Sequence, residues 1–298
     1  LKGVKMKFFG ETKIDFLTPR YYYLAISVFL IIIGVISLIL KGGPNLGIDF
    51  TGGILLELRF NQSVNIADIR TLLSEFPNAE IKYIGNDQTV SIRLKSRDID
   101  QNAWRDKVNN LLGAKYVYTI ERIEYVGPAV GSHLIKQALL AIIFSFLGIV
   151  VYVAIRFRSF IWGAAGVIAL IHDVFIVFGL FSVFNREITL TVVAALLTLA
   201  GYSINDTIVI FDRIREKSKI MKGTLFEIIN RSINETLSRT IITSLTVFLV
   251  VLALFLLAGP VIHDFALALL IGVIVGTYSS IYIASAIVYE WQTKISRR

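Results

Sequence analysis

The sequence predicts an α-helical integral membrane protein: six transmembrane helices, with an α+β domain inserted between helices 1 and 2. Three observations carry this. Of the 298 residues, 55% are hydrophobic and 17% charged, and the mean hydropathy is +0.69; soluble domains run at about 45–50% apolar and about 25% charged. Six stretches reach the roughly 20 apolar residues that a bilayer crossing needs. The Lys and Arg residues of the short connections fall almost entirely on alternate ones. A disordered chain and an ordinary soluble enzyme are thereby set aside. There is no cysteine, so there is no disulfide framework, thiolate ligand or cysteine nucleophile, and three histidines supply a metal site poorly.

Residues 1–20 form a basic N-terminus. The first span, 21–40, follows Thr18-Pro19, an N-cap with proline at the first helical position. Tyr21, Tyr22 and Tyr23 then read as an interfacial belt. This stretch is too long for a signal peptide and lacks a small-residue cleavage site, so it reads as an anchor. The other spans are 134–155, 160–184, 188–211, 241–258 and 265–289, with a tail at 290–298. The N-terminus, the 2–3 connection, the 4–5 connection (212–240) and the tail carry 17 Lys/Arg, and the opposite short connections carry only Arg186. The positive-inside rule puts the first group, both termini included, in the cytoplasm. Residues 41–133 are then external. They hold 11 basic and 11 acidic residues, so the formal charge of +8 reflects topology. Binding of nucleic acid is not expected.

Within 41–133, residues 54–60 (ILLELRF) read as an aliphatic strand, and 66–76 have helical spacing at Ile66, Ile69, Leu72 and Leu73. Residues 80–84 and 89–94 are short strands around the turn signal Gly85-Asn86-Asp87. A second helix covers 99–112, and 116–126 is strongly β-prone. The order β-α-β-β-α-β is the split βαβ, ferredoxin-like arrangement. Such a domain serves either as a folded cap or as a docking surface for a partner or a passing polypeptide; it has no catalytic constellation.

Two glycine-rich segments flank it: residues 47–53 (GIDFTGG) and 126–131 (VGPAVG). Neither matches a phosphate loop. Gly52, Gly53, Gly127, Pro128 and Gly131 read as turn or hinge residues, and a plain linker would use the same chemistry.

Ionisable residues inside spans are costly and usually functional. Span 3 contains His172-Asp173, and a face of Ala169, Gly166, Ala165 and Trp162 suits Asp173 to close helix packing. Span 4 contains the polar run Ser203-Ile204-Asn205-Asp206-Thr207. Each aspartate is either a hydrogen-bonded clamp between helices or a protonatable step in an ion path. Burial favours the neutral form of such a carboxylate, and a cation such as Arg239 or Arg213 opposes that. His263-Asp264, at the outer end of span 6, reads as a solvated pair. In the 4–5 connection, Thr224 to Glu227 match a capping box. Leu225, Ile229, Ile233 and Leu237 then suggest an amphipathic helix on the inner membrane face.

These residues resemble a family. Residues 201–216, GYSINDTIVIFDRIRE, are similar to the fourth-span motif of the SecD/SecF family of protein-export membrane proteins. GIDFTGG, VGPAVG, His172-Asp173 and Leu237-Ser238-Arg239-Thr240 fit the same family, in the right order and over nearly the whole chain. The short external domain and Asn205-Asp206-Thr207 favour the smaller member of the pair. The resemblance implies a membrane fold of the resistance–nodulation–division type, in the cytoplasmic (inner) membrane. It implies pairing with SecD and work with the SecYEG translocon on exported polypeptide, driven by the proton-motive force. It implies Asp206 as the proton-relay carboxylate, with Asp173, Arg239 and Asn205 as relay, counter-charge or steadying residues. No cofactor, metal or enzymatic activity is implied. A non-transporting scaffold and a small-substrate efflux subunit are the competing readings.

Overall fold

The computed structural model describes residues 12–77, 79–94, 101–157 and 160–296. The first part of the basic N-terminus, the expected start of the helix at 99, Arg158 and the last two residues of the tail lie outside the described residues. In chain order the elements are α1 (Arg20–Leu40), α2 (Ile48–Thr51), β1 (Gly53–Phe60), α3 (Ile66–Leu72), β2 (Ala79–Ile84), β3 (Asn86–Leu94), α4 (Gln101–Gly113) and β4 (Tyr118–Val126). There follow α5 (Pro128–Phe157), α6 (Phe160–Val183), α7 (Leu190–Ile220), α8 (Leu225–Leu257), α9 (Pro260–Tyr278), a π-helical segment (Ser279–Ala284) and α10 (Ser285–Ser296). The chain divides into two compact units, residues 46–140 and the remainder.

The larger unit is helical. Among the described residues, six helical stretches are long and apolar enough to cross a membrane: α1, α5, α6, α7, α8 and the run from α9 into α10. The most apolar parts of α6, α7 and the last run are more than half buried, whereas few residues are buried in those of α1, α5 and α8. The reason is in the side chains. α6 presents Ala165, Gly166 and Ala169, so α7 can come close; a β-carbon on Gly166 would lie 3.2 Å from Ile204 Cδ1. α1 meets α6 where Gly34 faces Gly179, backbone against backbone.

One region differs from the sequence reading. The connection expected over 212–240 is mostly helix: α7 runs on to Ile220, and α8 is continuous for 33 residues. Thr224 and Glu227 form the capping box that starts α8. Its apolar stripe does not lie free for a membrane surface. Ile229 and Ile233 are fully buried with Ile210, Phe211 and Ile214 of α7 and with Phe16 and Leu17. Asparagines on α8 hold the strand-like segment before α1. The Asn234 amide accepts from Ile14 N at 2.9 Å and donates to Ile14 O at 2.8 Å, while Asn230 Oδ1 accepts from Phe16 N at 2.8 Å. The amide side chains thus satisfy backbone groups that a missing strand would otherwise take.

The smaller unit is a four-stranded antiparallel sheet in the order β2-β3-β1-β4, with α3 and α4 in its connections. β1 is central, and Leu56 pairs with Ile92 on one side and Ile123 on the other. Its Ile54, Leu56, Leu58 and Phe60 are buried with Ile92, Trp104, Val108 and Leu112, the period-2 pattern of a strand with a helix-covered face. Glu57 lies opposite Arg122 across the β1–β4 pair at 3.3 Å. Burial pushes its carboxyl up, against the pull of that guanidinium.

Candidate functional site: buried carboxylates among hydroxyls

Asp173 on α6 is wholly buried. Its Oδ2 accepts from Ser203 Oγ of α7 at 2.5 Å and from Ser279 Oγ of the π-helical segment at 2.8 Å. Its Oδ1 faces His172 Nδ1 at 2.9 Å. A carboxylate taken out of water needs its lone pairs met by other donors, and three side chains meet them here.

Asp206 on α7 is also buried, at 3% exposure, but is more thinly held. Ser244 Oγ of α8 donates to its Oδ2 at 3.4 Å, and Thr277 Oγ1 of α9 donates in turn to Ser244 Oγ at 2.7 Å. Thr207, the next residue, pairs its hydroxyl with Ser280 Oγ at 2.8 Å. Arg239, itself exposed, stands on α8 little more than a turn before Ser244, and its charge acts on Asp206. Four helical elements therefore contribute hydroxyls to one interior surface with two carboxylates on it.

The π-helical turn makes part of this possible. At its start the consecutive Ser279 and Ser280 reach Asp173 and Thr207, and Ser285 Oγ donates back to Ser280 O at 3.2 Å. Such turns recur at functional sites.

Of the residues singled out in the sequence, Asp173 and Asp206 fall in this cluster and Arg239 borders it. Asn205 does not join them; it is exposed on α7, because successive helical residues point about 100° apart. Arg213 is committed elsewhere, to Glu216 at 2.6 Å and to Glu235 of α8. Asp264 pairs with Arg186 at 3.4 Å, away from the cluster. In the smaller unit, the two glycine segments touch. Gly52 has φ of +70°, and a β-carbon on Gly131 would lie 3.0 Å from Phe50 O and 3.1 Å from Gly52 N. Gly53 pairs with Val126, Gly127 O accepts from Gly131 N, and Pro128 opens α5. Ser244, Thr277, Ser279 and Ser280 escaped the sequence reading. Hydroxyls are tolerated in spans because they can bond back to carbonyls of the preceding turn, so they do not stand out as charges do.

Comparison with known proteins gives one answer. The family model for the C-terminal region of protein export membrane proteins SecD/SecF matches residues 107–294, and that for the SecD/SecF GG motif matches 37–64. The protein translocase subunit SecF of Endomicrobium trichonymphae is 43% identical over 98% of this chain and 96% of its own length. That of Vibrio alginolyticus is 45% identical over 93% and 90%. Among solved structures, SecDF from a Thermus species, described as a translocon-associated membrane protein, superposes with a TM-score of 0.87 at 38% identity; the match covers 95% of this chain and 39% of that one. SecDF in a super-membrane-facing form superposes with a TM-score of 0.72. The chain thus spans about two-fifths of SecDF.

Proposed function

The chain belongs to the SecD/SecF family of protein export membrane proteins, and from that premise we propose that it is the SecF-type subunit of a protein translocase that draws on the proton-motive force. It is a multi-pass membrane protein. Its partners are SecD, the SecYEG translocon and the exported polypeptide. One observation carries the coupling: two buried carboxylates, Asp173 and Asp206, sit on adjacent helices among hydroxyls from three further elements. A passive scaffold has no need to bury two carboxylates, each costing free energy in an apolar bundle. Asp206 is the relay carboxylate, and Arg239 is its counter-charge. One elementary charge crossing the membrane supplies about 2.3 kcal/mol per 100 mV, enough to bias a conformational equilibrium of a few kcal/mol. The direct test is export in proteoliposomes containing SecD, SecYEG and this chain, with proton and sodium gradients imposed in turn. Stimulation by a proton gradient is expected; stimulation by sodium alone would reassign the coupling ion, and none by either would leave a scaffold.

Orientation follows from the split of 17 to 1 in Lys/Arg: both termini and the α7–α8 turn are cytoplasmic. Residues 41–133 form an external, ferredoxin-like domain that meets the exported chain; the strand order β2-β3-β1-β4 supports that class. Asn86 and Lys222 are both exposed. Cysteines placed there should label from opposite faces of intact cells, and labelling from one face would reverse the reading. The glycine segments are the base on which this domain turns. A crosslink that pins the domain to the membrane unit should stop export and leave assembly intact; undiminished export would make them simple linkers.

A further inference from the structure

The proposed coupling leaves His172 without a role. Its ring is 7% exposed, and its two nitrogens differ sharply. Nδ1 lies 2.9 Å from Asp173 Oδ1. Nε2 is buried and meets no hydrogen-bond partner among the described residues. Leaving a buried polar nitrogen unmet costs its desolvation, and in native structures such a group calls for an explanation.

Asp173 is held by three side chains. Ser203 and Ser279 donate to one oxygen, and the imidazole Nδ1 faces the other. With Nδ1–H donating to Asp173, a proton added at Nε2 leaves that bond in place, and the pair goes from one net negative charge to none. Tyr278 of α9 lies beside the imidazole, ring centroids 6.4 Å apart. Its hydroxyl donates to Tyr23 O of α1 at 2.6 Å and lies 3.1 Å from Ser27 Oγ. Asp173 is the acidic group in contact with the imidazole, and Tyr23 of α1 and Tyr282 of the π-helical segment pack against Tyr278 in turn.

We infer that His172 Nε2 is a proton-carrying station of the coupling path, with Asp173, Ser203 and Ser279 as the positioning residues that hold its tautomer. When the helices rearrange and open Nε2 to water, hydronium gives up an O–H proton as the Nε2–H bond forms, and release to water on the other side reverses the exchange. An imidazole is the side chain suited to exchange near neutral pH. The inference rests on the reading of the chain as proton-coupled.

The test is gradient-stimulated export by complexes carrying His172→Asn, compared with Asp206→Asn. Asparagine keeps an N–H near the Nδ1 position and removes Nε2. The expected result is normal assembly, loss of gradient stimulation, and loss of one transition from the pH profile of export. Stimulation and a pH profile like those of the wild type in His172→Asn, with Asp206→Asn inactive, would overturn this inference and leave the coupled reading standing. Full stimulation in both would overturn the coupled reading itself. If His172→Asn fails to assemble, nitrogen-15 NMR of histidine-labelled complex, with His133→Gln and His263→Gln to remove the other two rings, reads Nε2 directly. A change in Nε2 protonation with pH supports the assignment; an Nε2 that never changes state refutes it.

Discussion

Asp206→Asn will assemble with its partners and lose all stimulation of export by a proton gradient. Asparagine has nearly the same size, and its carbonyl can still accept from Ser244, whose hydroxyl is the group reaching Asp206 Oδ2. Thr207 keeps Ser280, so the α7–π-helix contact is untouched. What disappears is the ability to change charge. If one proton per cycle passes here, the mutant forfeits about 2.3 kcal/mol per 100 mV, roughly fifty-fold in the equilibrium constant it would bias. Basal export, driven from elsewhere, should remain. The measurement compares export with and without an imposed gradient at equal amounts of assembled complex. Wild-type stimulation in the mutant would make Asp206 a structural clamp. The thin coordination of Asp206 beside the threefold coordination of Asp173 is why the largest effect is expected at the former.

Both aspartates were legible in the sequence because burying charge in an apolar stretch costs free energy, and that cost is visible without a fold. The small-residue face of α6 was legible by helical spacing. What pairs with what was not. Asn205 adjoins Asp206 in the chain, yet the helix turns it outward. Ser203, three residues back on the same helix, is the one that reaches a carboxylate, and it reaches Asp173. Ser279 and Ser280 stand at the start of a π-helical turn, and nothing in the composition of that stretch signals the turn. The length of α8 was misjudged for a different reason. Hydropathy ends where Arg231, Asn234 and Glu235 begin, but backbone hydrogen bonding continues through them. The Ile229 and Ile233 face is covered by α7 and by the segment before α1, a contact between residues more than 200 positions apart.

Gly179→Leu will loosen the contact between α1 and α6. α1 is little buried along its apolar length; near its start Arg20 and Tyr23 reach Glu290 and Tyr278, and further along its attachment rests on a narrow seam with α6. At the centre of that seam, a β-carbon on Gly179 would lie 2.9 Å from Gly34 Cα, and one on Gly34 would lie 2.6 Å from Gly179 Cα. No side chain there can move aside, since the obstruction is backbone. In lipid, helices gain nothing from hiding apolar surface, so close van der Waals packing and hydrogen bonds hold them together. Pushing the backbones apart forfeits both, including the Ser37–Ser182 hydroxyl pair at 2.9 Å one turn further on. Overpacking of this kind costs about 1–3 kcal/mol or more, equivalent to about tenfold or more in the attached population. The chain has no cysteine, so a Ser37→Cys, Ser182→Cys pair reports on the seam. Disulfide formation should fall about tenfold when Gly179→Leu is added. It should not change with Gly148→Leu, where the added β-carbon meets nothing within 4 Å. Unchanged crosslinking in the Gly179 variant would show that other contacts hold α1. The consequence reaches the site, because α1 supplies Tyr23 O and Ser27, the groups that hold Tyr278 beside the His172 ring. Loosening of α1 should therefore weaken gradient coupling while leaving Asp173 its bonds from Ser203 and Ser279.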